Sequence, residues 1–146
     1  MTPATMAPDT PETMAALHAL CFETPRPWKT EEFASLLTTP GVITCRHPNG
    51  FLIGRVVLDE AELLTIAVDP GHRRAGVGAA LLAQFHRDSA DLGAVRAFLE
   101  VNAQNFGAIA LYENAGYVQS GKRPGYYRTP EGMRDDALIF TRALPV

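Results

Sequence analysis

The chain has 146 residues, 47% of them hydrophobic and 20% charged, with a formal net charge of -3. That length suits a single domain with a two- or three-layer core, and the charge gives no general pull toward nucleic acid. No apolar run reaches the roughly 18 residues of a membrane-spanning helix, and no basic stretch followed by an apolar core opens the chain, so the expectation is a cytoplasmic protein with neither a membrane nor a secretory signal.

Met1–Pro8, rich in Thr, Ala and Pro, reads as a loose tail. Thr10 is placed to cap a helix with Pro11 in its first turn, and Met14, Leu17, Leu20 and Cys21 give that helix an apolar stripe. Past the break at Thr24-Pro25-Arg26-Pro27, Thr30 is placed to cap a second helix through Phe33, Leu36 and Leu37, which Thr39-Pro40-Gly41 ends. Val42 to Cys45 and Phe51 to Leu58 read as strands joined by a turn at His47-Pro48-Asn49-Gly50, and Asp59-Glu60 makes the next turn. Leu63 to Val68 is a short apolar strand stopped by Asp69-Pro70, because Pro70 has no N–H to give a ladder.

From Val77 to Leu92 the period turns helical, with Val77, Leu81, Leu82 and Phe85 on one face and Gly93 as the stop. Val95 to Val101 is a strand, Asn105 a cap for the helix Phe106 to Ala115, and Gly116 the stop of that helix. Tyr117 to Gly121 and Ala137 to Ala143 read as the last strands, with a turn-rich segment Lys122 to Arg134 between them. The opening hairpins are antiparallel, and Leu63 through the long helix to Val95 reads as a parallel β-α-β crossover. The fold class is therefore α/β: a mixed, largely antiparallel twisted sheet with helices on both faces.

The chemistry concentrates after Val68. A strand, a turn, the basic glycine loop Arg73-Arg74-Ala75-Gly76-Val77-Gly78 and a helix start succeed one another. Free N–H groups of a first helical turn, together with the helix dipole, favour an anion, and two arginines add charge beside them. A nucleotide-triphosphate loop needs Lys-Ser or Lys-Thr after the last glycine, and a dinucleotide loop needs a third glycine where Leu81 stands. Neither fits. Cys21 and Cys45 form no Cys-x-x-Cys pair, and His18, His47, His72 and His86 are scattered. Two thiols that pack as small hydrophobes, and no metal, are the expectation.

The Arg-x-x-Gly-x-Gly loop resembles the pyrophosphate loop of the GNAT acyltransferase superfamily. The runs "IAVDP", "RRAGVG", "LEVNAQN", "AIALYENAGY" and a late "YY…DDA", with Arg26-Pro27-Trp28 near the start, resemble the RimI-type group within it, bacterial enzymes that acetylate the N-terminal alanine of a ribosomal protein. The resemblance runs from about Ala15 to the C-terminus. It implies acetyl-CoA as donor, held by Ile66, Ala67, Val68, Arg73, Arg74, Ala75, Gly76, Val77, Gly78, Ala79 and Asn105, with the acyl arm along Ile66-Ala67-Val68. It implies Glu100 as the base and Tyr112 as the acid, and it puts Trp28, Tyr126 and Tyr127 beside the acceptor, the latter two in a loop. Ala79 departs from the group, which often has a basic residue there.

An α-amino group with a pKa near ~8 needs only one carboxylate to shed its proton, and a phenol at ~10 keeps a proton to give a leaving thiolate. The residues alone leave other readings open. Glu100 also suits an exposed strand end, Tyr112 a packing aromatic, and Asn105 a cap alone. The acceptor expected is a protein or peptide N-terminus, a ribosomal protein among the candidates. A small amine, a lysine side chain, or a non-catalytic acyl-CoA-binding module are the alternatives.

Overall fold

Helix α1 (Pro11–Cys21) starts where the sequence sets its cap, with Thr10 Oγ1 accepting the Thr13 N–H at 3.1 Å and Thr13 Oγ1 accepting the Thr10 N–H at 2.9 Å. Its buried side is Met14 and His18, not the expected Leu20, which is 69% exposed. Leu20 lies about 200° around the helix from His18, so the two cannot share a face. Helix α2 (Thr30–Leu37) is capped one residue earlier than expected: Lys29 is the cap, and Glu32 Oε1 accepts its N–H at 3.0 Å. The computed structural model describes residues 8–24 and 26–145. The tail expected over Met1–Pro8 lies outside these, except for Pro8, which is buried.

Strands β1 (Val42–His47), β2 (Gly50–Val57) and β3 (Glu60–Val68) form an antiparallel meander. The β2–β3 turn falls on Leu58-Asp59, a residue before the expected place, with Leu58 at φ 57°. A short 3-10 turn (Pro70–His72) leads to helix α3 (Val77–Asp91), and then come β4 (Arg96–Asn102), helix α4 (Phe106–Asn114), β5 (Val118–Arg128) and β6 (Arg134–Ala143). The sheet order is β1-β2-β3-β4-β6-β5, with β3 and β4 the parallel pair. The expected mixed sheet with its central crossover is therefore present. The expected turn region Lys122 to Arg134 is mostly strand. Lys122–Arg128 continues β5 against β6 through one register irregularity, between Arg123 and Tyr127, so Tyr126 and Tyr127 lie on a strand and not in a loop.

Two features of β3 position the site. Leu64 is skipped in the pairing with β2, where Ile53 faces Thr65 and Gly54 faces Leu63. This bulge switches the phase of the strand. Leu63 joins the core under α3, Leu64 packs toward α1 and α2, and Thr65 also turns to α1, where it meets His18. Beyond the bulge, Ile66 and Val68 face the α3 side and Ala67 the α1 side. The second feature is short pairing: β3 and β4 are matched only at Glu60↔Arg96, Ala61↔Ala97 and Glu62↔Phe98. After Glu62 they part, β3 staying with β2 and β4 staying with β6.

One core, built on Leu81, Leu82, Phe85, Leu99 and Phe140, lies on the α3 and α4 face; the other, built on Met14, Phe33, Phe51 and Ile53, lies under α1 and α2. Cys45 is buried and Cys21 half-buried, both as free thiols.

Candidate active site

Where β3 and β4 part, a cavity of about 930 Å³ opens. One wall is the end of β3 with the glycine loop: Ile66, Val68, Arg73, Arg74, Gly76, Val77, Gly78 and Ala79. The other is the end of β4 with α4, including Asn102, Asn105, Ala108 and Leu111. Phe22, Glu23 and Thr24, from the connection between α1 and α2, close a third side. Ala67 and Ala75 do not line the cavity. The Ala67 side chain is buried toward α1 and α2, and Ala75 is exposed in the loop.

The glycine-loop end has the make-up of an anion seat. Helices α1 and α4 carry side-chain caps, whereas α3 begins at Gly76 with none. The N–H groups of the first turn of α3 are left without a side-chain partner at the cavity wall, on the positive end of the helix dipole and beside Arg73 and Arg74. Gly76 reaches this cap with φ 81°, and Arg74 is left-handed too, at φ 63°. A Cβ on Gly76 would stand in open space, so the backbone angle is what asks for glycine there. Gly78 has a different reason. A Cβ on it would meet Leu111 Cδ2 at 3.0 Å. Gly78 lines the cavity, and its missing side chain also makes room for Leu111 of α4.

Asn105 performs its capping task, with Oδ1 accepting the Ala108 N–H at 3.2 Å, and its side chain also lines the cavity. Glu100, Tyr112, Tyr126 and Tyr127 are not among the lining residues; Tyr112 is buried in the α3/α4 core, and Tyr126 and Tyr127 lie on β5. Alternation along β4 points Arg96, Phe98 and Glu100 away from the core of Ala97, Leu99 and Val101. Glu100 Oε1 pairs with Arg123 Nε at 3.2 Å, and the Arg123 guanidinium lies 5.2 Å from the centre of the Tyr126 ring.

Tyr127 is pushed up to about 12, by burial first and then by the nearby charge of Glu100. Tyr112, only 4% exposed, is raised further by burial, with Tyr127 adding a smaller push. Tyr127 thus stands close enough to feel Glu100 on one side and Tyr112 on the other. Glu62, half-buried at the last matched position of β3, is also raised by burial and by Glu100, with Arg55 opposing.

Trp28 is elsewhere. It packs in the α1/α2 core, stacked on His18 at 5.3 Å and tilted against Phe33 at 5.4 Å. Three residues not expected at the site stand out. Arg123 holds Glu100, and Asn102 joins the cavity's rims, its Nδ2 donating to Asp135 Oδ2 at 3.0 Å and lying 3.5 Å from Thr24 O. Strand alternation from Glu100 would have put Asn102 on the same face; nothing local signals Arg123 or Asp135. Among the described residues no group of three or more His, Cys, Asp or Glu is arranged to hold a metal, and no helix is long and apolar enough to cross a membrane.

A sheet parted at its one parallel pair, with an uncapped helix N-terminus on one lip and a carboxylate and a phenol on the strand and helix of the other, defines a group-transfer enzyme with a phosphate-bearing donor. The family model for the acetyltransferase (GNAT) family matches residues 13–117, and the chain belongs to that family. It is 41% identical over 129 residues to the ribosomal protein bS18-alanine N-acetyltransferase of Escherichia coli K12, covering 82% of each chain. The crystal structure of the ribosomal-protein-S18-alanine N-acetyltransferase from Escherichia coli superposes with a TM-score of 0.79 at 33% identity, over 93% of this chain and 88% of that one. Arabidopsis thaliana NAA60 in complex with a bisubstrate analogue shares the fold, with a TM-score of 0.81 at 20% identity over 94% of both chains.

Proposed function

We propose that the chain transfers the acetyl group of acetyl-CoA to the free α-amine of a protein N-terminus, an N-terminal alanine of a ribosomal protein being the acceptor class, in the cytoplasm. The observation that carries this reading is the uncapped start of α3 beside Arg73 and Arg74, opening into the cleft between β3 and β4. The relatives named for ribosomal-protein alanine acetylation support the choice of acceptor.

Acetyl-CoA supplies an activated acetyl thioester and a diphosphate. The first-turn N–H groups of α3, with Arg73 and Arg74, bind the diphosphate. The parted edge of β3 at Ile66-Ala67-Val68 offers main-chain N–H and C=O groups to the pantetheine arm, and the Val68 N–H serves the oxygen on which negative charge develops. Asn105 offers its amide from the opposite lip. Glu100 accepts the proton that the attacking amine loses, directly or through one water, while Arg123 holds its carboxylate in place. Tyr112 gives its phenolic proton to the departing sulfur, so that one N–C bond forms, one C–S bond breaks and the thiol leaves neutral. Burial keeps that phenol protonated across the working pH range. Tyr126 and Tyr127 on β5 flank the base on the acceptor side, and Trp28 supports that side from the α1/α2 core.

The deciding experiment is mass spectrometry after incubation with acetyl-CoA and peptides that differ only in a free or blocked N-terminus, each containing a lysine. Acetylation confined to the free termini is expected. Transfer to the lysine of the blocked peptide would overturn the choice of acceptor, and binding without transfer would overturn the enzymatic reading.

A further inference from the structure

Among the buried titratable groups that the proposed acetyl transfer leaves unused, His18 is the one nearest the cleft's connection wall. His18 is 1% exposed on α1, in a position that helical packing would fill equally well with leucine. Both of its ring nitrogens are engaged. Nδ1 accepts the Trp28 N–H at 3.0 Å, which leaves the ring hydrogen on Nε2 to be donated to Thr65 Oγ1, also at 3.0 Å. Burial holds the imidazole down at about 4, against a smaller upward pull from Glu32, so the ring is neutral at physiological pH and the tautomer is fixed. Its ring stacks with Phe22 at 4.2 Å and with Trp28 at 5.3 Å. Helix α1, the α1–α2 connection and β3 therefore meet on one imidazole.

What those pieces border gives the contact its meaning. Phe22, Glu23 and Thr24 form the third wall of the cleft, and Thr24 O faces Asn102 across it. Thr65 immediately precedes the Ile66–Val68 edge and is turned toward α1 by the bulge at Leu64. His18 thus ties the connection, through the Trp28 amide and the stacked Phe22 ring, to the strand that carries Ile66–Val68. An apolar residue would pack there but would leave the Trp28 N–H and the Thr65 hydroxyl unpaired.

We infer that His18 is a positioning residue for the acceptor: by tying the Trp28 amide to Thr65 it fixes the Phe22–Thr24 wall and sets the opening through which the acceptor's first residues enter. The inference rests on the proposed N-terminal acetyltransferase reading. It assigns His18 no contact with either substrate. In that reading Trp28 supports the acceptor side, and the hydrogen-bond and stacking partners of His18 are Thr65, Trp28, Phe22 and Phe33, none of them part of the diphosphate seat, so the expected effect falls on acceptor binding more than on donor binding.

The test uses the intact chain, acetyl-CoA and a free-N-terminus alanine peptide, with two variants. Thr65→Val is close to isosteric and removes only the strand end of the tie; His18→Phe keeps a stacked ring and removes both hydrogen bonds. In each, the acceptor KM should rise about tenfold while the acetyl-CoA KM stays within about twofold. Trp28 is the only tryptophan of the chain, so its emission reports the connection directly, and it should shift in both variants. An acceptor KM that stays put while only the melting temperature drops would show a packing role and overturn the inference. Should His18→Phe not fold, Thr65→Val decides alone. A wild-type chain that acetylates no free N-terminus refutes the functional reading itself, whereas identical Trp28 emission in wild type and Thr65→Val refutes the tie whatever the turnover.

Discussion

At the scale of single residues, the arrangement around Glu100 separates chemistry from support. Glu100→Gln keeps the shape of the side chain and removes its capacity to take a proton. Turnover should fall by about a hundredfold or more, while coenzyme A affinity by calorimetry stays at the wild-type value. Tyr112→Phe should lower turnover with little change in melting temperature, since no hydrogen bond to the Tyr112 hydroxyl is made by any described residue and the ring alone fills the core. A pH profile separates the phenols from the amine. Tyr127 is pushed up to about 12 and Tyr112 is raised beyond it, so neither loses its proton in the usual assay range. Rate should rise with pH as the acceptor amine deprotonates, then stay level to about pH 10; a descending limb near pH 9 would remove Tyr112 as the acid.

Asn105 is legible in the sequence as the cap of the helix after "LEVNAQN", and the roles proposed for Glu100 and Tyr112 rest on the resemblance of that same contiguous stretch. Arg123 and His18 are not legible. Each acts through a partner on a distant strand, and no local pattern reveals that Arg123 faces Glu100 or that His18 faces Thr65.

At the scale of elements, the glycine loop is legible as a loop, but its two glycines serve ends that the sequence does not separate. Gly76 is needed for its left-handed backbone and Gly78 for the fit of α4 against α3. The two substitutions should therefore behave differently. Gly76→Ala adds a methyl into open space at φ 81° and should cost about 1 kcal/mol of stability through backbone strain. Gly78→Val drives a branched side chain into Leu111 and should cost about 1–3 kcal/mol. Adding Leu111→Ala to Gly78→Val should recover part of that loss in urea unfolding, which strict additivity of the single variants would contradict.

The long helix, the crossover and the β3 stop at Asp69-Pro70 are all written in short-range patterns. The bulge at Leu64 is not, because Leu63-Leu64 looks equally apolar in either phase and only the pairing with β2 decides it. The extension of β5 through Lys122–Arg128 is hidden for a related reason. Glycine, proline and charge in that run look like a turn, yet an edge strand tolerates all three, since one side of it bonds to nothing in the sheet.

At the scale of the whole molecule, each of the two cores contains or adjoins one buried neutral histidine, and the pair links stability to pH. His18 bridges α1 to β3 through Thr65. His86 on α3 lies with Nε2 2.8 Å from Tyr117 OH and accepts from Arg142 at Nδ1, 2.6 Å away, which joins α3 to β6. Both are held at about 4, His18 by burial against Glu32, His86 by burial with Arg142 adding to it. In the unfolded chain each would titrate near 6.5. Between pH 6.5 and 4 the unfolded state binds more protons than the folded one, so stability falls as pH falls across that window and is flat above it. Moving from pH 7 to pH 5 should remove about 2 kcal/mol per histidine, or about 4 kcal/mol in all. That is a large share of the roughly 5–15 kcal/mol typical of a folded domain. Carboxylates enter later. Glu32, held at about 2 mainly by its hydrogen bond from Arg26, loses its contribution only as pH falls from 4.5 toward 2. Urea unfolding at pH 7, 6 and 5 measures the slope, and His86→Gln should halve it whatever it does to stability at pH 7. Equal unfolding free energies at pH 7 and 5 would mean that these imidazoles take up protons without loss of the fold, and that neither core depends on a neutral ring.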